Sequence, residues 1–200
     1  MEVVSRHFST IESTNSWAKQ YLHEFDAQKV MIISADEQTA GRGQFNRRWF
    51  SPPNQNIYVT YCFFMEPGRS DIIYLPQILA LSVIKVLEEQ DYRVRMKWPN
   101  DLMISGKKVG GILCETTPFN NQLAVIIGLG LNVNMNQEVL KNIDQPATSL
   151  AHEKGILIKK DELLSVLNDA FVVNLSIYLK NGFQPFKESV DDYLIKEKDS

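Results

Sequence analysis

Two cysteines in 200 residues, a net charge of −3 and no apolar run of membrane-spanning length bound what this chain can be. Cys62 and Cys114 each sit inside an apolar run, as buried thiols of a reducing compartment do, and neither belongs to a metal-spaced cluster. A disulfide scaffold and a structural zinc site are thereby excluded. Basic excess is missing too: 21 Lys and Arg stand against 24 Asp and Glu, with an isoelectric point near 5.7. The global footprint of a nucleic-acid binder is absent, leaving a local basic patch at Arg42, Arg47 and Arg48. Residues 1–10 carry charge and no apolar core, unlike a signal peptide. The roughly 18 apolar residues of a membrane helix do not occur in one run. Cytoplasmic placement is expected, without nucleic acid or membrane as partner. Internal repeats and low-complexity segments are also lacking. What the chain has is 44% hydrophobic content, enough to bury the core of one domain.

The stretch at 38–49 organises the rest: Gln38, then Gly41-Arg42-Gly43-Gln44, then Arg47, Arg48 and Trp49. Glycines let backbone approach a ligand, and guanidinium forks suit phosphate or carboxylate. An anion-holding loop is one reading; a solvated surface loop is the other. Glycine and charge bury little, so disorder is expected there without ligand. Upstream, residues 3–8 predict a short strand, and Ser13 or Thr14 caps a helix that runs to about Glu24. A helix start with free hydroxyls beside Asn15 also suits a polar head group.

Residues 57–64, β-branched and aromatic throughout, predict a buried strand, and apolar spacing over 72–89 predicts a helix with Pro76 in its first turn. In 94–104 Pro99 breaks a strand and presents Asn100 and Asp101, and Ser105-Gly106 turns the chain into the next strand. Paired Gly110 and Gly111 in that strand mark a bulge or a close approach by ligand or backbone. A further strand over 121–134 alternates so that Gly130, Asn132 and Asn134 share one face, as a floor under a polar molecule or as a polar edge. A short helical piece opened by Pro146-Ala147-Thr148-Ser149-Leu150 and ended by Gly155 follows, then helices at 161–180 with Asp161 as cap and from about Pro185 into the charged tail 196–200. The expected architecture is α+β, a mixed, largely antiparallel sheet of six or so strands with helices packed on one side.

Ser13-Thr14-Asn15, Gln38 with Gly41-Arg42-Gly43, Trp49, Lys97-Trp98-Pro99-Asn100-Asp101, Lys108-Val109-Gly110-Gly111-Ile112-Leu113 and Gly128-Leu129-Gly130-Leu131-Asn132 resemble, in order and spacing over roughly 8–150, the motif set of the biotin protein ligase catalytic domain. That resemblance implies the class II synthetase-like biotin/lipoate ligase fold and a two-step acyl transfer using biotin, ATP and Mg2+. Biotin's carboxylate attacks the α-phosphate of ATP to give biotinyl-5′-adenylate and pyrophosphate; a lysine of a biotin carboxyl carrier protein, or carrier domain of a carboxylase, then takes the acyl group. Positions like Ser13, Thr14, Asn15 and Gln38 hold the ureido head. The Gly41-Arg42-Gly43 segment and Lys108 meet carboxylate and phosphate, and Trp49, Asn100, Asp101 and Asn132 line the nucleotide side. Arg42, Lys108 and Asp101 are the implied catalytic groups, with no metal cage in the protein. Lys108 is otherwise a solvated hairpin lysine, Lys97 a strand-end charge and Asp101 a turn cap. The resemblance covers 1–184 as catalytic domain, leaves 185–200 as a C-terminal helix and tail near the start of a small β-barrel that is missing or truncated, and includes no N-terminal helix-turn-helix DNA-binding domain. A homodimer is among the expected assemblies. A lipoate or octanoate enzyme of the same fold and a non-catalytic biotin-binding module are the rivals.

Gln44 and Asn46 depart from the family pattern, which has a second basic residue and a glycine at those places; Arg47 or Arg48 then takes over part of the missing charge. Arg47→Ala should slow adenylate formation, or leak intermediate, more than Arg48→Ala does. Pyrophosphate release by the two variants checks this, and equal, negligible effects would refute the assignment.

Overall fold

The computed structural model describes residues 1–195, Asn46 by its backbone alone, so the charged tail at 196–200 lies outside the described residues. Seven strands form one sheet: β1 Glu2–Ile11, β2 Lys29–Gln38, β3 Ile57–Met65, β4 Arg95–Lys97, β5 Asp101–Ile104, β6 Lys107–Phe119 and β7 Gln122–Leu131. Their order is β1-β2-β3-β7-β6-β5-β4, with β1 and β2 parallel and every other pair antiparallel. The helices are α1 Thr14–Gln20, α2 Leu75–Glu88, α3 Gln137–Leu140, α4 Leu150–Lys154, α5 Lys160–Asn181 and α6 Lys187–Tyr193.

Strand β3 is buried along its whole length, which explains its unbroken run of β-branched and aromatic residues. The pleat sends Ile57, Val59, Tyr61, Phe63 and Met65 into the large core with α2, α5 and α6, while Cys62 and Phe64 join Ala18 and Leu22 of α1 and its following turn on the opposite face. In β7 the same alternation gives Val125, Ile127, Leu129 and Leu131 to the core. Gly128 and Gly130 therefore fall on the face that α2 and α5 leave uncovered. The site described below lies on that face.

Several local expectations change. Pro99 does not interrupt one strand but sits where the chain reverses, so that β4 and β5 pair with each other and Lys97 lies opposite Asp101. Asp161 is not the cap of α5; Lys159 takes that position without a side-chain bond, and Asp161 and Glu162 fall in the first turn, where carboxylates suit the helix dipole. Strand β7 ends at Leu131, so Asn132 and Asn134 lie beyond the ladder. The segments Ser70–Glu88 and Lys160–Asn181 are, by length and composition, apolar enough to cross a membrane, against the expectation from run length. In the fold they turn apolar side chains such as Leu79, Val83, Leu167 and Phe171 into the core.

Phe171 is fully buried, with its ring centroid 4.5 Å from that of Tyr61. Phe171→Ala should lower unfolding free energy by about 3–5 kcal/mol through lost contact and the cavity left behind. Val173→Ala, on the exposed side of the same helix, should change it by no more than about 0.5 kcal/mol. Urea denaturation of the two variants makes the comparison.

Candidate active site

Where the sheet carries glycine instead of bulky side chains, a cavity of about 220 Å³ opens between the start of α1, the loop 41–49, the β4–β5 turn and strands β6 and β7. Among the described residues, Arg42, Arg47, Arg48 and Lys108 line it against a single carboxylate, Asp101. A chain with net charge −3 has thus collected four cations around one hollow. A second hollow of about 620 Å³ adjoins it, sharing Arg47, Arg48, Trp49, Lys108 and Gln145 and adding Asn132 and residues 142–144.

One end of the first cavity is a polar cluster. Ser13 caps α1 by accepting from the Ser16 amide. The next residue, Thr14, donates its amide to Gln38 Oε1 at 2.9 Å, and its hydroxyl lies 3.1 Å from the same oxygen. Gln38 Nε2 donates to Ser51 Oγ, which donates to the Trp49 carbonyl, each at 3.1 Å. The Thr60 hydroxyl, fully buried on β3, lies 2.7 Å from Thr14 Oγ1 and 2.6 Å from Asn15 Oδ1. Asn15 Nδ2 donates to the Leu113 carbonyl and to Glu115 Oε2. Ser13, Thr14 and Asn15 are 3–4% exposed, so these polar groups are buried where only neighbours or a ligand can satisfy them.

Each of the two central cations has its own carboxylate. Lys108 Nζ is 2.6 Å from Asp101 Oδ1 and 5.3 Å from the centroid of the Trp49 ring. The backbone of Lys108 is pinned by the Pro146 carbonyl and the Thr148 amide, so its side chain leaves from a fixed point. Arg42 grips Glu115 with both ends of its fork, Nη1 to Oε1 at 3.1 Å and Nη2 to Oε2 at 2.5 Å. Burial alone would push the Glu115 carboxyl up, but hydrogen bonds from Arg42 and Asn15, with the Arg42 charge, bring it below its ordinary value.

The loop closes on itself rather than remaining unordered: Gly43 donates to the Arg47 carbonyl, Trp49 to the Gly41 carbonyl, and Arg42 pairs with Arg48 as in a short ladder. Phe45 stands at its tip with φ 55°, 86% exposed at the cavity rim. The Trp49 ring packs on Gly130, where a methyl group would overlap it, and against Gly111, where one would be tight, and the Asn15 amide fills the space above Gly128 as the ring does above Gly130.

Of the residues expected from sequence, Ser13, Thr14, Asn15, Gln38, Arg42, Gly43, Gln44, Arg47, Trp49, Asn100, Asp101, Lys108 and Gly111 line the first cavity, and Asn132 lines the second. Three do not reach either. Lys97 is exposed at the end of β4 and lines neither cavity, although its register partner is Asp101. Gly41 packs beneath Ser51 and the Trp49 carbonyl, and Gly110 lies against the Gly130 carbonyl, so both serve backbone approach and not ligand contact. Asn132 and Asn134 bond the backbone of Thr148 and Ile158, tying the following helices to the sheet. Glu115 and Thr60 are not among the residues expected from sequence; a carboxylate and a hydroxyl inside apolar strands are the signal for them, since such groups need partners.

A match to the biotin/lipoate A/B protein ligase family covers residues 7–132. The chain belongs to that family. It is 30% identical to the bifunctional ligase/repressor BirA of Escherichia coli, over 92% of this chain and 58% of that protein, and 30% identical to the biotin–[acetyl-CoA-carboxylase] ligase of Paracoccus denitrificans, over 78% and 68%. The chain therefore spans less than two thirds of the first of these. Among solved structures, the biotin protein ligase of Aquifex aeolicus in complex with biotin and ATP superposes with a TM-score of 0.78 at 29% identity, covering 97% of this chain and 78% of that one.

Because the Glu115 carboxyl sits low in the folded state, its contribution is full above the usual carboxylate range, about pH 4–5, and is lost as pH falls through the lower folded value. Asp71, under the Arg69 fork, and Asp36, where Lys160 and His7 outweigh burial, shift in the same direction. Urea midpoints should therefore fall with acidification from that range downward. Glu115→Gln should have a lower midpoint than wild type at neutral pH and converge with it in acid; a constant gap would contradict the linkage.

Proposed function

We propose that this chain activates biotin with ATP, forming biotinyl-5′-adenylate, and passes the biotinyl group to a lysine ε-amine on a biotin carboxyl carrier protein or domain. The observation that carries the reading is one cavity lined by four cations beside a buried polar cluster. A carboxylate and a phosphate must come within bonding distance, and like charges about 4 Å apart repel by about 4 kcal/mol at an effective dielectric near 20. Arg42 and Lys108 offset that repulsion, and fixed donors aimed at developing charge need no reorganisation as the reaction proceeds.

In the first step a biotin carboxylate oxygen bonds to the α-phosphorus while the bond to pyrophosphate breaks. The amine then attacks the acyl carbon, AMP leaves, and the amine proton passes to solvent. Of the polar cluster, the Ser13 hydroxyl and the second Gln38 N–H remain available to a urea carbonyl, whereas an apolar acyl tail would leave them unpaired. That favours biotin over lipoate or octanoate. On the other side Trp49 Nε1 and Asn132 Oδ1 are buried without partners among the described residues, one donor and one acceptor for a nucleotide to meet. Asp101 offers a cavity-lining carboxylate, in keeping with a magnesium ion that arrives on the triphosphate and needs only one or two protein oxygens. Such an ion would neutralise phosphate charge.

Biotin-dependent exchange of labelled pyrophosphate into ATP tests this, run with biotin, lipoate and octanoate side by side. Exchange should occur with biotin, and Lys108→Ala should reduce kcat/KM about a hundredfold or more, as loss of one preorganised charge donor does. Exchange with lipoate in place of biotin would transfer the chain to the rival chemistry, and tight biotin binding without exchange would make it a binding module.

A further inference from the structure

Glu115 does not line either cavity, yet it touches two residues that do. Both carboxylate oxygens are engaged, Oε1 by Arg42 and Oε2 by Arg42 and Asn15, and the side chain is 20% exposed on a strand whose neighbours are Ile112, Leu113 and Cys114. An ion pair in such a place adds little net stability over an apolar pair of the same shape. Its value lies in direction. A carboxylate only accepts, so it determines how each donor around it must point.

For Arg42 the consequence is a planar fork clamped end-on, with its other N–H groups left without partners among the described residues. For Asn15 it is an amide that cannot flip: Nδ2 serves Leu113 and Glu115, which leaves Oδ1 to Thr60. We infer that Glu115 is a positioning residue, one carboxylate behind the cavity wall that aims the Arg42 guanidinium at the reacting anions and fixes the Asn15 amide under the head group. The inference rests on the ligase reading, because it assigns what Arg42 and Asn15 are positioned for. Two ends of the site, on the loop and on α1, are thereby set by the same charge. Glutamine at 115 would keep the shape but place an NH2 against a donor, so the fork or the amide must give way.

Two measurements test it. Phenylglyoxal labelling of Arg42, read by mass spectrometry, needs neither ligand nor turnover; Glu115→Gln should label several-fold faster than wild type. In pyrophosphate exchange the same variant should raise KM for biotin about tenfold, the effect of losing a charge-assisted hydrogen bond, with a smaller change in kcat. Added to Arg42→Ala it should give less than the product of the two single effects, since part of its action runs through Arg42. Glu115→Asp, which keeps the charge, should recover part of the affinity. Unchanged labelling overturns the inference, and so does a lowered Tm with wild-type KM for biotin, the mark of a purely structural role. Should the wild-type protein show no biotin-dependent exchange, the ligase reading fails, and labelling alone decides whether Glu115 aims Arg42.

Discussion

A sheet of seven strands sealed by long helices on one face must give the other face to something, and here three glycines decide to what. Gly111, Gly128 and Gly130 remove the side chains from adjoining positions of β6 and β7, and into that space come the Trp49 ring and the Asn15 amide. A methyl group at Gly128 or Gly130 would overlap them. The remaining structure follows from this allowance of volume. The loop can lie close to the sheet because its tryptophan has a flat floor, and α1 can point its first turn inward because its asparagine has a slot. The cavity is what remains between them.

Charge is the second constraint. Four cations around a hollow would repel one another and lose hydration if left alone, and the structure tempers this with Asp101 inside and Glu115 behind. Pairing lowers the free energy of the empty site but also weakens what each cation can offer a ligand. The two pairs resolve that conflict differently. Lys108 has a single compact charge, so an anion competes directly with Asp101 for it. Arg42 has a fork, so Glu115 can hold one edge while other donors stay open to a ligand.

Fold class and most of the site were legible because both rest on local signals. Alternation in β7, the aromatic run of β3 and the Ser105-Gly106 turn each map onto one element, and the three arginines of the 41–49 loop lie within seven residues of one another. What failed was of another kind. Nothing in the sequence around Lys97 says that Pro99 sits at a reversal and not a break, because both need the same residue; in the structure Lys97 stands exposed just before that reversal, outside the cavity lining. Gly110 and Gly111 are identical in sequence, yet the pleat gives one to packing and the other to the cavity. Glu115 was invisible because its partner is 73 residues away, and the meaning of a carboxylate in an apolar strand depends on who arrives to meet it.

Those distant meetings join into a circuit. From Arg42 through Glu115, Asn15, Thr60, the Thr14 hydroxyl and amide, Gln38 and Ser51, hydrogen bonds run back to the Trp49 carbonyl, so the chain of contacts leaves the loop near one end and returns near the other. Most of its members sit where water is scarce, and each bond orients the next donor or acceptor in turn. A circuit of this kind cannot be divided into independent contributions. Removing one member leaves two neighbours unsatisfied, and a buried unpaired group costs more than the bond it lost was worth. The loop's shape and the polarity of the buried cluster at one end of the cavity are therefore one property, held by residues from α1 and from strands β2, β3 and β6, and no segment of the sequence carries it alone.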